Sequence, residues 1–285
     1  MIRVEKRLTI LSRDGAATTV LSPGGASAGL RVVCLLASGI TFGKPKKGFT
    51  IRDGGDGVRV GSSSDADDLS LSDVVVSGNR SIHNLFHGFV VGGRNTLIKG
   101  NQAVDHAGHG FVVGGTANIL TANVASGNGM AGFMIFPSAA AVQLRGNAAT
   151  GNETGFVVNP PNAVVTGCVA SGNLGIGFLM RLGTGSITKS AAIGNGGAGI
   201  DVGSDGPDVV SDCTVVGNGT ASSPNCGVEN ISAVPVNTTN VFWGSASGPG
   251  ADPSDNACAT GGGAIGVLPV ATKEVKVKPK LPAID

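Results

Sequence analysis

GFVVGGRNTLIKGNQAVDHAGHGFVVGGTANILTANVASGNGMAGFMI, residues 88–135, decides the fold. Three times in this stretch a glycine precedes a phenylalanine and two more apolar residues, at Gly88/Phe89, Gly110/Phe111 and Gly132/Phe133. The pair recurs at Gly155/Phe156, Gly177/Phe178 and Gly199/Ile200, in steps of 22, 22, 23, 22 and 22 residues. A fixed period in the twenties marks a solenoid, whose repeats bury their apolar residues only by stacking on one another. The segments FVV, FMI and FLM after each glycine read as short strands.

Asparagines recur with the same period at Asn84, Asn128, Asn152, Asn173, Asn195 and Asn218, and His106 stands in the gap. Amides stacked at a bend satisfy one another and the backbone groups that the bend leaves unpaired. The leucine offsets of leucine-rich repeats and the nine-residue period of calcium-binding repeats are missing, and the glycine density excludes helical repeats. The expectation is an all-β, single-domain parallel β-helix. Glycine heads from Gly57 to Gly227 give about eight coils of roughly 22 residues, or a rod on the order of 40 Å at ~4.8 Å per coil.

SGN turns at Ser77–Asn79, Ser126–Asn128 and Ser171–Asn173 accompany this repeat. Upstream lie LTILSRDGAATTVL (Leu8–Leu21) and GFTIRDGGDGVRV (Gly48–Val60), and downstream NVFWGSASGPGADPSDNAC (Asn240–Cys258). With these segments the chain resembles right-handed parallel β-helix proteins of the pectate-lyase-like superfamily. The resemblance implies an extracytoplasmic protein that binds or processes polysaccharide, as a lyase, epimerase or hydrolase on acidic glycans. It also implies an earlier start to the fold, with Met1 inside a coil. Residues 1–48 are read as N-terminal coil and cap, 49–235 as the β-helix and 236–270 as the C-terminal cap. Trp243 in that cap is a plug for the core rather than a sugar platform. Residues 271–285 form a charged tail that either adds an edge strand or is disordered.

With 48 glycines, 14% charged residues and a net charge of +1, the chain is neither disordered nor a basic nucleic-acid binder. The apolar run from Leu30 to Phe42 is interrupted by Arg31 and Ser38 and is too short to cross a bilayer, so no transmembrane segment is expected. The opening residues carry no signal peptide, which fits a cytosolic protein or a mature or truncated form. Five cysteines leave at least one thiol unpaired within the chain. Cys226 and Cys258 flank the irregular C-terminal section and are either bridged or buried as free thiols.

All four histidines fall in two successive turns, SIHNLFHGF (Ser81–Phe89) and VDHAGHGF (Val104–Phe111). His87 and His109 share one position, and His106 lies beside Asp105. These four are the catalytic candidates, as a general base and its partner or as metal-binding imidazoles. The plain alternative is that histidine replaces asparagine in the ladder. GHG at Gly108–Gly110 occurs in polygalacturonases, but their NTD and RIK runs are absent here. Lyases of this fold use calcium or a cationic side chain against a uronic carboxylate, and the chain has no tyrosine to carry the proton. Candidate Ca2+ ligands are Asp65, Asp67 and Asp68, and Asp201, Asp205 and Asp208. Arg80, Arg94, Arg145 and Arg181 are scattered over different coils and form no carboxylate-binding row.

Strand alternation turns Val90, Val112, Met134, Val157, Leu179 and Asp201 outward. A stripe with five apolar members needs a cover: a loop, the tail, a ligand or a second copy in a homo-oligomer. The alternative function is therefore a non-catalytic surface or scaffold protein that uses this stripe as an interface.

Overall fold

The computed structural model describes all residues except 25–29, 63–67, 182–184, 204–208, 220–224, 251–253, 278 and 280–285. The described strands form three parallel sheets of 11, 11 and 9 strands. The chain passes from sheet to sheet in each coil, so every strand inside a sheet pairs with its counterpart one coil earlier and one coil later. Phe89–Val91, for example, lies in register between Val58–Val60 and Phe111–Val113.

The coils run beyond the eight expected. Residues 1–48 supply the strands Ile2–Val4, Thr9–Ile10, Val20–Leu21, Val33–Leu35 and Thr41–Phe42. They lack the glycine and phenylalanine head, yet Val33 and Val58 stack in register as buried residues, with Ile2 exposed above them in the first strand. Likewise 236–270 continues the sheets through Val236–Thr239, Asn256–Ala259 and Ile265–Gly266. Trp243 is fully buried in the core, as expected of a plug. The Cys226–Cys258 disulfide ties the last two strands of the first sheet together, while Cys34, Cys168 and Cys213 are buried free thiols. In the tail, Val275 N–H donates to Thr214 Oγ1 at 3.0 Å, which seats this segment on the end of the third sheet.

Phenylalanines 89, 111, 133, 156 and 178 form one interior column with ring centroids 4.7–4.9 Å apart. Small residues face them from the third sheet, where Ala103, Ala125, Ala149, Ala170 and Ala192 are fully buried. The repeat glycines follow from this crowding. A Cβ on Gly155 would lie 2.4 Å from the Gly177 carbonyl oxygen and 3.0 Å from Ala170 Cβ. The glycines of the SGN turns have another cause: Gly172 has φ +58° and open space around it. Gly155→Ala should therefore cost about 3 kcal/mol, and Gly172→Ala about 1 kcal/mol. Urea midpoints of the two variants check this, and equal losses would remove clearance as the cause.

The outward column of the first sheet reads Arg59, Val90, Val112, Met134, Val157, Leu179, Asp201 and Glu229 in register. Val90 and Val112 are buried with Met134 and Phe136 packed against them. Val157 and Leu179 are half-buried, so the five apolar members do not form an open stripe.

Candidate functional site

The four histidines occupy three different environments at these two turns. His83 and Asp105 have φ +50° and +54°, in the turn position that Gly127, Gly151, Gly172, Gly194 and Gly217 occupy in later coils. Both side chains are exposed on the outside of the bend, where His83 Nε2 lies 3.5 Å from Asp105 Oδ2. The next residue turns inward, so His106 is separated from Asp105 and is buried in the ladder. Its Nδ1 accepts from Asn84 N–H at 3.0 Å, and its own N–H donates to Asn128 Oδ1 at 3.2 Å. Its Nε2 faces the Ser81 carbonyl without hydrogen-bond geometry.

His87 and His109 stack with ring centroids 5.3 Å apart. Each Nδ1 accepts a backbone N–H from the next coil, of His109 and of Ala131 respectively, both at 3.0 Å. This fixes the neutral tautomer with the proton on Nε2. Burial lowers the pKa of His87 and pushes those of His106 and His109 down to about 4. Each accepting nitrogen thus satisfies a backbone N–H of the next coil.

The ladder itself is regular. Asn128 Nδ2 donates to Asn152 Oδ1 at 2.7 Å, and the chain of amides continues through Asn173 and Asn195 to Asn218. Asp255, fully buried, ends it by accepting from Asn218 Nδ2 at 2.7 Å and from the Gly217 N–H at 2.7 Å. A second ladder, unread in the sequence, joins Asn79, Asn101, Asn123 and Asn147 at the opposite bend. Cys168, Ser190 and Cys213 take its later rungs. Its signal was an asparagine just after a left-handed glycine, visible at Gly78/Asn79, Gly100/Asn101 and Gly146/Asn147.

Of the calcium candidates, Asp65, Asp67, Asp205 and Asp208 lie outside the described residues. Asp68 closes its own loop by accepting from Ser62 N–H and Ser62 Oγ at 2.8 Å, and these bonds lower its pKa to about 2. Asp201 faces an arginine. Among the described residues no three His, Cys, Asp or Glu side chains come together as a metal site.

Asp201 is the most perturbed carboxylate of the outward column. It is 3% exposed, and Arg181 NH2 reaches its Oδ2 at 3.2 Å. Its Oδ1 is buried without a hydrogen-bond partner. Glu229 is its register neighbour on the adjacent coil, itself held by Thr260 Oγ1 at 3.1 Å. Burial raises the Asp201 pKa to about 6, with Glu229 adding to the rise and Arg181 opposing it. The sequence signal was the break in the apolar column, where aspartate follows five apolar residues.

A cleft of about 410 Å³ lies on the outer face of the third sheet, under the turns around Ala16 and Lys46. Its lining carries Lys46, Arg52, Arg80 and Lys99 and no carboxylate. Of Arg80, Arg94, Arg145 and Arg181, only Arg80 lines this cleft. The fold sets it beside Gln102 and Thr50 in one column and within one cleft as Arg52 and Lys99.

The family described as "Right handed beta helix region" matches residues 46–159 and 92–241. No curated protein matches the chain. Stacked parallel sheets, the amide ladders and a family match across most of the coils agree, and the chain belongs to the right-handed β-helix family.

Proposed function

We propose that this protein processes polysaccharide, with Asp201 as general acid and Glu229 as its basic partner. The observation that carries the reading is the buried Asp201 carboxyl with one unpartnered oxygen and a pKa of about 6. A carboxyl that holds its proton into the neutral range beside an ionisable partner is the arrangement that glycosidic bond cleavage uses. Asp201 would donate its proton to the departing glycosidic oxygen as the C–O bond breaks. Glu229 would take a proton from the attacking water as the new C–OH bond forms. Arg181 is a positioning residue, 3.2 Å from Asp201, that limits how far the pKa climbs.

The test is incubation with pectate, alginate and chondroitin, followed by assay of new reducing ends; unsaturated product would mean elimination and would overturn the proposed roles. Turnover should fall as pH rises above about 6, where Asp201 loses its proton. Asp201→Asn should lower kcat by about 100-fold or more. No product from any glycan, or full activity in the variant, would end this reading.

The variant has a second signature. The folded pKa of about 6 exceeds the unfolded 3.8. The associated stability is thus full below 3.8 and lost as pH rises through 6. At 1.36 kcal/mol per unit this is about 3 kcal/mol. Thermal melts should show wild type gaining that much on Asp201→Asn between pH 7.5 and about pH 3. A constant difference would mean that Asp201 is ionised throughout.

A further inference from the structure

We infer that the basic cleft on the third sheet is a second saccharide site, away from Asp201, for an oligosaccharide bearing two or more negative groups. The inference rests on the polysaccharide reading for the word saccharide, and on the cleft alone for the charge. Of 20 lysines and arginines balanced by 19 acids in the whole chain, the cleft gathers four and no acid. Arg52 has a neighbour in Asp53 at 3.3 Å, outside the lining, while Lys46, Arg80 and Lys99 have no ion pair among the described residues. Four like charges in a cavity of about 410 Å³ repel one another, and an anion in the cleft removes that repulsion.

The cleft is preformed. Thr50 Oγ1 donates to the Ala16 carbonyl at 2.6 Å, and Ser12 N–H donates to the Lys47 carbonyl at 3.1 Å, so the two overhanging turns are fastened to the sheet and to each other. Gly48 passes so close to Gly78 that a Cβ there would lie 1.7 Å from the Gly78 carbonyl oxygen. Ala16, Ala17 and Val20 supply small apolar walls, and Gln102 a neutral hydrogen-bonding group, which together suit the faces and hydroxyls of a sugar ring. Arg52 and Arg80 stand on adjacent coils, so successive charged units can be met by successive coils. Carboxylates and sulfate esters share this chemistry. Asp201 sits on the first sheet, so the two sites are separate.

Titration calorimetry with oligogalacturonate, sulfated chondroitin oligosaccharide and a neutral gluco-oligosaccharide tests the inference. Acidic ligands should bind, more weakly at high salt; binding of oligogalacturonate shows that carboxylates suffice, whereas binding of the sulfated chondroitin alone, whose units carry a carboxylate as well, shows that sulfate is required. Arg80→Glu combined with Lys99→Glu, both at exposed positions, should weaken binding by about tenfold or more. Neutral ligand bound equally well, no acidic ligand bound, or undiminished binding by the double variant would overturn the inference. Binding without turnover would sink the processing reading alone, and turnover without cleft-dependent binding would sink the cleft alone.

Discussion

Phe133→Ala should destabilise the protein by about 3–5 kcal/mol. Phe133 is fully buried between Phe111 and Phe156, with ring centroids at 4.8 and 4.7 Å. The wall opposite is already made of alanine, and a Cβ on Gly132 would lie 3.0 Å from Ala149 Cβ. A void at this level has no larger side chain nearby on that wall to relax into it. In a stack where each coil is supported only by its two neighbours, the loss weakens both interfaces at once. Phe86 supplies the control: it is 49% exposed, and Phe86→Ala should shift stability by no more than about 0.5 kcal/mol. Urea denaturation of the two variants decides the matter. A Phe133→Ala loss below about 1 kcal/mol would mean that the ring column fills space without being needed for cohesion.

The β-helix was legible because its cause is local and repeated. Glycine before phenylalanine records a clearance limit set by the next coil's carbonyl, as at Gly155 against Gly177, and such a limit must recur every coil. Coils that meet the same demand with other residues escaped the count. Val33 stacks in the phenylalanine column without a glycine and phenylalanine head, so its coil falls outside a count of glycine heads that begins at Gly57. Cys168 and Ser190 hide the second ladder in the same way.

The candidate site was less legible, because sequence adjacency misleads at a bend. Asp105 and His106 are neighbours in the chain, yet the left-handed φ of +54° at Asp105 sends one side chain out and the next in. What the fold does bring together is distant in sequence. Asp201 meets Glu229 28 residues later, and Arg52, Arg80 and Lys99 share a cleft across three coils. Charged residues on the outer face follow no period, because the stacking of coils does not constrain them.

His106→Asn should make the protein resistant to acid. The imidazole occupies a ladder position that asparagine fills in the coils that follow, and its folded pKa is held down at about 4, chiefly by burial. For a base whose folded pKa is depressed, the unfolded chain takes up the proton first. Stability is therefore intact above 6.5, falls as pH drops below that value, and is lost in full below about 4. The depression corresponds to about 3 kcal/mol at 1.36 kcal/mol per unit. An asparagine here carries no such penalty. Its Oδ1 can accept the Asn84 N–H that His106 Nδ1 now holds, and its amide can donate to Ser81 as Asn128 Nδ2 donates to Ala103. The variant should match or exceed wild type at pH 7.5 and surpass it by about 3 kcal/mol more at pH 4. His109→Asn lies outside the ladder and leaves the Ala131 N–H without its present acceptor, so it should not reproduce the neutral-pH result. Melts of wild type and His106→Asn that run parallel from pH 7.5 to pH 4 would show that His106 is protonated in the folded protein and that the ladder tolerates the charge.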